Sequence, residues 1–203
     1  LPAMTTLSIV IPTFNGGALF AEVLAGLKRQ RPHAPGAAPP QLLIIDSGST
    51  DDTVRIAAAA GATVLAVAQA DFDHGLTRNR GIETAPGDIV VLMTQDAVPA
   101  DDRLLESLAI PFADPRVAGV FARQIPRPDA DALVVRNLTQ WVTGGRERRT
   151  SEITDPAMYS AMDPFEKYLL CVFDNVCSAL RRSTWKTLPF HRNAFGEDIE
   201  WAK

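Results

Sequence analysis

The stretch LSIVIPTFN at residues 7–15 decides the fold. Its first five residues are mostly apolar and rich in β-branched side chains, and Pro12 ends the run, which is typical of a buried strand. Apolar residues then recur at intervals of one, three and four between Leu19 and Leu27, the pattern of an amphipathic helix. A strand followed directly by a helix is the repeating unit of a parallel α/β sheet, so this part of the chain predicts that class.

The same alternation continues along the first half of the chain. The sequence predicts strands over 42–45, 63–67 and 89–93, a helix that begins at Asp51 with Ser49 or Thr50 as its cap, and a helix over 77–84. Ligands of parallel α/β sheets bind at the carboxyl ends of the strands. Three polar clusters fall at such ends: Thr13-Phe14-Asn15, Asp46-Ser47-Gly48 and Thr94-Gln95-Asp96. We expect the three clusters to form one ligand-binding edge.

The second half of the chain is less regular, and its elements are predicted from shorter patterns. Helices are expected over 104–110, over 133–141 and from Glu197 onwards, with strands over 117–122 and 176–180. The chain shows no internal repeat and no heptad pattern. One α/β domain is therefore the expected organisation.

Composition and charge exclude several classes of protein. The 203 residues are 46% hydrophobic, which is enough for a real core, and the formal net charge of -4 argues against a protein that grips nucleic acid through a basic face. Two cysteines are too few for a disulfide scaffold or a four-ligand zinc site, so a reducing compartment is expected. Neither a membrane-spanning stretch nor a secretion signal is visible, and a cytoplasmic location follows as an expectation. Because the chain begins without Met and ends within a helical pattern, we expect it to be part of a longer protein.

Familiar nucleotide-binding and hydrolase motifs are absent from the sequence, so carboxylates are the candidate functional groups. Neither GxGxxG nor GxxxxGK[ST] follows the first strand, and GxSxG and HExxH do not occur. Asp96 could bind a divalent cation that bridges substrate phosphates, and Asp46 could accept hydrogen bonds from a base or ribose. Both residues are equally well explained as turn aspartates. Glu197 and Asp198 open a predicted helix whose macrodipole keeps them ionised, which suits a general base, although acidic residues are also common in first helical turns.

Four ordered stretches resemble the inverting family 2 glycosyltransferases. They are residues 8–15, residues 43–53, Thr77-Arg78-Asn79-Arg80-Gly81 and Phe195-Gly196-Glu197-Asp198. Residues 72–75, 94–97, 174–176 and 178–182 are similar to the rhamnosyltransferase-type branch in particular. The resemblance implies the GT-A (nucleotide-diphospho-sugar transferase) fold, an α/β fold with a mostly parallel central sheet flanked by helices. It also implies a single catalytic domain over residues 1–203, truncated at its C-terminus, with residues 1–100 as the nucleotide-binding half and 101–203 as the acceptor-side half.

The resemblance also implies a role for each matching position. The nucleotide-binding positions would be Pro12, Thr13, Asn15, Asp46, Ser47, Arg78, Thr94 and Gln95. Asp96 would be the ligand of a divalent cation, Mg or Mn, and it is the only carboxylate of the family's Asp-x-Asp metal motif because Thr94 replaces the first Asp. Asp198 would take the proton from the acceptor hydroxyl with support from Glu197. Asp174 and Asn175 would face the acceptor.

Two functional hypotheses follow. The first is an inverting transferase that moves a sugar, rhamnose by the branch resemblance, from a dTDP- or UDP-sugar to a saccharide or lipid-linked acceptor in polysaccharide or glycoconjugate synthesis. The second is a GT-A domain that binds a nucleotide-sugar or a partner protein without turnover, which the Thr94 departure and the short chain favour. The resemblance further implies peripheral association with the inner face of the membrane through a C-terminal part beyond this chain. No nucleic-acid partner is expected.

Overall fold

The computed structural model describes residues 6–193 and 196–203 of the chain. Its strands are β1 (Leu7–Thr13), β2 (Gln41–Asp46), β3 (Thr63–Ala66), β4 (Ile89–Met93), β5 (Gly119–Phe121) and β6 (Cys177–Arg181). Within the described residues they form one sheet in the order β3-β2-β1-β4-β6-β5. The pairs among β1, β2, β3 and β4 are parallel, whereas β6 runs antiparallel to both of its neighbours. The predicted mostly parallel α/β sheet is therefore confirmed.

Helices cover both faces of this sheet. They are α1 (Gly17–Lys28), α2 (Thr53–Ala59), α3 (His74–Thr84), α4 (Leu104–Ala109), α5 (Ala132–Gln140), α6 (Pro156–Ala161), α7 (Pro164–Leu170), α8 (Arg182–Thr187) and α9 (Glu197–Trp201). Alternate residues of β1 enter opposite hydrophobic clusters, Ile9 and Ile11 on one side and Val10 on the other, because side chains alternate along a strand. The first cluster includes side chains from α1, α2 and α4, and the second includes side chains from α3 and α8. Both faces of the sheet are thus buried.

Helix α3 lies close against the sheet at Gly81. A Cβ atom added at this glycine would lie 2.4 Å from Val10 Cγ1 and 2.7 Å from Ile45 Cδ1, closer than non-bonded carbon atoms approach. Both neighbours belong to the core, where a displaced side chain has little room to move. The absence of a side chain at Gly81 therefore sets the depth at which α3 packs.

The structure corrects two local predictions. Helix α3 begins at His74, ahead of the predicted start at Thr77, because the side chain of Asp73 accepts a hydrogen bond from the backbone N–H of Leu76 at 2.9 Å. The prediction that Ser49 or Thr50 caps α2 is wrong, since Asp52 stands at that position. Ser49 and Thr50 bond instead to the loop that follows β1.

Helices α6, α7 and α8 were not predicted from the sequence. The first two begin with Asp-Pro, and Asp155 and Asp163 accept hydrogen bonds from backbone N–H groups of the first turn. None of the residues in α5, α6 or α7 is buried, so no long apolar stripe marks the last two in the sequence. Among the described residues, no helix has both the length and the apolar character that crossing a membrane requires.

We expect Gly81→Ala to lower the free energy of unfolding by about 1–3 kcal/mol, because the new methyl group overpacks the core between Val10 and Ile45. The result is informative because alanine has the higher helix propensity and would otherwise stabilise α3. The measurement is urea unfolding. The control is Arg80→Ala, at the exposed neighbouring position of the same helix, which should change stability little. A Gly81→Ala variant as stable as the wild type would contradict the close packing.

Candidate active site

The turn after β2 is built around the buried carboxylate of Asp46. Its Oδ1 accepts hydrogen bonds from Thr13 Oγ1 at 3.2 Å and from Ser49 Oγ at 2.5 Å. Its Oδ2 accepts the backbone N–H groups of Gly48 at 3.1 Å and Ser49 at 2.9 Å. A buried carboxylate requires such partners, and these four donors all come from the protein. In this structure, Asp46 therefore shapes the loop.

The loops after β1 and β2 are tied together by Asn15 and Ser47. Ser47 donates twice to the carbonyl oxygen of Thr13, from its backbone N–H at 2.9 Å and from its hydroxyl at 2.8 Å. Asn15 adopts a left-handed backbone conformation with φ of 48°, which Asn tolerates better than most residues. This conformation lets its Oδ1 accept the backbone N–H of Thr50 at 2.8 Å, while its own N–H donates to Ser49 Oγ at 2.9 Å. The two loops thus form one continuous surface beside the half-buried Pro12.

The third polar cluster, after β4, joins the same surface through Gln95. The amide of Gln95 pairs with the backbone of Phe14: Oε1 accepts the N–H at 2.9 Å, and Nε2 donates to the carbonyl at 3.1 Å. Thr94 Oγ1 is buried without a hydrogen-bond partner among the described residues, and Asp96 is exposed. The structure therefore brings the three predicted clusters to one edge. The nucleotide contacts assigned to their side chains stay a prediction.

A buried ion pair joins α3 to the start of α9. Arg78 Nη1 donates to Glu197 Oε1 at 2.8 Å, and the two side chains are 5% and 8% exposed. Arg78 Nη1 also donates to the carbonyl oxygen of His74 at 3.1 Å. Burial lowers the pKa of Arg78, whereas the negative charges of Glu197, Asp198 and Asp174 raise it, and a guanidinium stays protonated in proteins. One cation thus lies among three carboxylates that are about 100 residues or more away from it in the sequence.

Asn175 connects the predicted catalytic carboxylates to the sheet. Its backbone N–H donates to Asp198 Oδ2 at 3.0 Å, and its Nδ2 donates to Glu197 Oε1 at 3.4 Å. Its Oδ1 accepts the hydroxyl of Ser178, a residue of β6, at 2.8 Å. Asn175 is only 2% exposed, whereas Asp198 is half-buried and so keeps an accessible surface. The resemblance placed Asn175 against the acceptor, which stays a prediction; in this structure its side chain bonds to Glu197 and Ser178.

Asp174 is a second half-buried carboxyl group near Asp198. Its Oδ1 accepts the backbone N–H of Val176 at 2.8 Å, and its Oδ2 accepts Nε2 of Gln124. Burial raises the pKa of Asp174, and the neighbouring charge of Asp198 raises it further, against the lowering effects of these hydrogen bonds and of Arg78. Sequence reasoning missed Gln124, because an isolated glutamine in an irregular segment carries no signal.

The two groups of residues meet at the end of β4. The backbone N–H of Thr94 donates to the carbonyl of Val176 at 3.0 Å, directly beyond the paired residues Met93 and Cys177. The loop that carries Asp96 therefore lies beside the segment that holds the α9 carboxylates. Phe195, which begins the fourth motif, lies outside the described residues.

Asp96 is the candidate cation ligand. Within residues 6–193 and 196–203, no group of three or more His, Cys, Asp or Glu side chains is placed to hold a metal ion. Mg²⁺ is commonly held by one or two carboxylates together with substrate phosphates, not by an all-protein cage. An exposed carboxylate at this edge fits the arrangement in which the cation is bound by a protein carboxylate and a diphosphate together.

Comparison with known proteins identifies the family. The profile described as Glycosyl transferase family 2 matches residues 8–187. This chain belongs to glycosyl transferase family 2. It is 37% identical over 131 residues to the O-antigen chain rhamnosyltransferase RfbN of Salmonella typhimurium, an alignment that covers 64% of this chain and 40% of that protein. The corresponding enzyme WbaN of Salmonella anatum is 37% identical over 134 residues, or 65% of this chain and 41% of WbaN. The chain thus spans about two fifths of the length of these relatives.

Solved structures of similar fold are GT-A glycosyltransferases, and the predicted GT-A fold is confirmed. A mannosyltransferase from Pyrobaculum calidifontis, solved with GDP-Man and Mn²⁺, superposes with a TM-score of 0.66 at 18% identity, over 98% of this chain and 51% of the other. Glucosyl-3-phosphoglycerate synthase from Mycobacterium tuberculosis, solved with UDP, gives a TM-score of 0.61 at 25% identity, over 97% of this chain and 64% of the other. The first of these likenesses concerns the fold alone.

We expect Asp174→Asn to stabilise the protein more at about pH 7 than at about pH 4. Because the folded state raises the pKa of Asp174 above its unfolded value of about 3.9, the native state binds more protons between the two pKa values. The free energy of unfolding of the wild type therefore falls as the pH rises between the two pKa values. The asparagine variant cannot ionise at this position and does not lose that stability. Urea unfolding at both pH values is the measurement.

The control for this comparison is Asp71→Asn, the same substitution at an exposed position, measured at the same two pH values. A stability difference for Asp174→Asn that is equal at both pH values would contradict an unfavourably buried carboxylate.

Proposed function

We propose that this chain carries the catalytic domain of an inverting glycosyltransferase that moves a sugar from a nucleotide-diphospho-sugar to an acceptor hydroxyl. The observation that carries the proposal is the position of Asp198, an accessible carboxylate held at the carboxyl edge of a family 2 domain. The loops after β1, β2 and β4 meet at the same edge and would form the donor side. Asp174 and Asn175 would flank the acceptor side, with Asn175 acting through its contacts to Asp198 and Glu197.

Asp198 is the proposed general base. A sugar hydroxyl ionises far above neutral pH, so its proton has to pass to a base within about 3 Å as the new bond forms. Each oxygen of Asp198 accepts one backbone N–H, from Asn175 and from Ile199, which orients the carboxylate and leaves further lone pairs for the hydroxyl. Glu197 is only 7% exposed and bound to Arg78, so it supports Asp198 without meeting the acceptor.

The reaction is a single displacement at the anomeric carbon. The acceptor oxygen forms the new C–O bond while its proton passes to Asp198. The bond from the anomeric carbon to the diphosphate oxygen breaks, and the nucleoside diphosphate leaves with the electron pair. Because attack and departure occur on opposite faces of the sugar, the anomeric configuration inverts.

Asp96 is the proposed ligand of the divalent cation, Mg²⁺ or Mn²⁺. When bound, such a cation stabilises the negative charge that develops on the leaving diphosphate. The Pyrobaculum mannosyltransferase, which shares the fold, was itself solved with Mn²⁺. Thr94 in place of a first aspartate leaves one protein carboxylate in the motif, so the cation would depend on the diphosphate for much of its coordination.

The identity to two O-antigen chain rhamnosyltransferases favours rhamnose as the sugar and a polysaccharide precursor as the acceptor. The donor would be a dTDP- or UDP-sugar, and the acceptor a saccharide or lipid-linked saccharide. We propose a cytoplasmic location at the inner face of the membrane, with membrane contact made by parts of the protein outside this chain. The alternative, a domain that binds nucleotide-sugars without turnover, is disfavoured by the identity to two rhamnosyltransferases and by the accessible carboxylate of Asp198.

Nucleotide binding tests the donor side of this proposal. In calorimetric titrations with UDP, dTDP and GDP, we expect a pyrimidine nucleotide to bind more tightly with Mn²⁺ than with EDTA. Asp96→Ala should remove most of the Mn²⁺-dependent gain and leave binding in EDTA unchanged, because the exposed Asp96 side chain acts through the cation. Glu83→Ala, at an exposed position in the last turn of α3, is the matched control. No binding of any of the three nucleotides would overturn the proposed function, and an unchanged Mn²⁺ effect in Asp96→Ala would overturn the assigned ligand.

Loss of the base should separate chemistry from binding. We expect Asp198→Asn to lower kcat for the release of nucleoside diphosphate in the presence of acceptor by at least about 100-fold, because the amide cannot take the proton. The dissociation constant for the nucleotide should stay within about twofold, since Asp198 lies on the acceptor side. Glu200→Gln, at an exposed position of the same helix, should behave like the wild type. Turnover in Asp198→Asn near the wild-type rate would assign the base elsewhere.

A further inference from the structure

One face of α3 contacts the C-terminal part of the chain, beyond β6, at three points. The backbone of His191 passes so close to Gly75 that a Cβ atom added there would lie 2.4 Å from the His191 carbonyl oxygen. Asn79 Oδ1 accepts Trp185 Nε1 at 2.7 Å and the backbone N–H of Phe190 at 3.0 Å, while its Nδ2 donates to the Phe190 carbonyl at 2.7 Å. Arg78 makes the third contact, the ion pair with Glu197. Residues three and four apart lie on the same side of a helix, so Gly75, Arg78 and Asn79 make these contacts from one face of α3.

Helix α9 has little intrinsic means of holding its position. It is five residues long, and its N-cap Gly196 adopts a left-handed conformation with φ of 77° and supplies no side-chain cap. Helices this short are marginal in isolation, so their placement depends on tertiary contacts. The contacts from Arg78 and Asn175 reach the first two residues of α9, Glu197 and Asp198, which are the residues of the proposed base.

We propose that Arg78 is a positioning residue that holds the base-bearing end of α9 and acts on Asp198 through Glu197. This inference rests on the proposed function and changes the role that the sequence resemblance implies for Arg78, which was a contact with the donor diphosphate. Arg78 in α3 thereby belongs to the acceptor side of the site.

The burial of Arg78 carries the argument. Its side chain is 5% exposed, Nη1 is occupied by Glu197 and His74, and Nε is buried without a partner among the described residues. With Nη1 occupied and Nε buried, a diphosphate in contact with this guanidinium would have only Nη2 to accept from. The same guanidinium is already matched by a buried carboxylate, which a buried cation requires.

The link from Arg78 to Asp198 is short. Glu197 Oε1 accepts from both Arg78 Nη1 and Asn175 Nδ2, and Asn175 places its backbone N–H on Asp198 Oδ2. Ser178 fixes the other side of the Asn175 amide to β6. A displacement of Glu197 therefore disturbs the carboxylate of Asp198 from two directions, through the adjacent peptide and through Asn175.

The test uses a substitution that can restore folding without restoring the ion pair. Removing one partner of a buried ion pair leaves an uncompensated charge, whereas replacing both partners by apolar side chains is often neutral for stability. We therefore compare Arg78→Met, Glu197→Met and the double variant with Arg80→Met, a control at an exposed arginine of the same helix. The measurements are Tm, the nucleotide dissociation constant, and kcat and KM for the donor.

We expect each single variant to have a lower Tm, and the double variant to regain most of that loss. In the double variant, kcat should stay about 100-fold below the wild-type value, because a misplacement of about 1 Å costs that much. The nucleotide dissociation constant and the donor KM should stay within about twofold. Recovery of kcat together with Tm would show that the pair has only a structural role and would overturn the proposal. Nucleotide binding weakened by about tenfold or more would overturn it as well, because Arg78 would then be a donor contact.

A second variant covers the case in which the double variant does not fold. Arg78→Lys keeps the positive charge but loses the planar geometry of the guanidinium. It should lower kcat with an unchanged nucleotide dissociation constant, and an unchanged kcat would contradict positioning through Glu197. Failure of the proposed function is distinguishable throughout, since the wild type itself would then neither bind a nucleotide nor turn over a donor.

Discussion

A polar group removed from water has to find its hydrogen bonds within the protein, and the carboxyl edge of the sheet is organised by this constraint. Asp46 is buried and receives four donors from the loops around it. Gln95 pairs with both polar groups of the Phe14 backbone, and Arg78 pairs with Glu197. The bonds from Thr13 to Asp46, from Gln95 to Phe14 and from Arg78 to Glu197 join segments that are distant in the sequence, so satisfying them also fixes the shape of the site.

The same constraint separates the residues that build the site from those left to react. Asn175 and Glu197 are buried and have their polar atoms engaged with neighbouring side chains. Asp198 and Asp174 are half-buried, and Asp96 is exposed. The accessible carboxylates can act on a ligand while the buried, hydrogen-bonded residues keep the shape of the site. Proton transfer and cation binding require this arrangement.

Several features of this edge lower the stability of the folded state, and they lie among the residues of the candidate active site. Burial raises the pKa of Asp174, Asn15 adopts a left-handed backbone conformation, and Arg78 Nε and Thr94 Oγ1 are buried without partners among the described residues. Natural proteins tend to keep such local costs at functional sites, where the rest of the fold compensates for them. The continuous core on both faces of the sheet supplies that compensation here.

The sequence by itself determined the α/β class, the three polar clusters and the family. The strand patterns of β1, β2 and β4 are apolar on both faces, and this periodicity is local, so it is visible without coordinates. It did not determine helices α6 and α7, whose residues are unburied and therefore unpatterned.

The tertiary structure alone decided what the site residues do to one another. Arg78 and Glu197 are 119 positions apart, and Gln124 and Asp174 are 50 apart. Contacts over such separations depend on the assembled sheet and, for Arg78, on the packing of α3 against it at Gly81. Residue types and spacing predict which side chains are suited to the chemistry, whereas burial and hydrogen-bond partners decide which of them stay accessible to perform it.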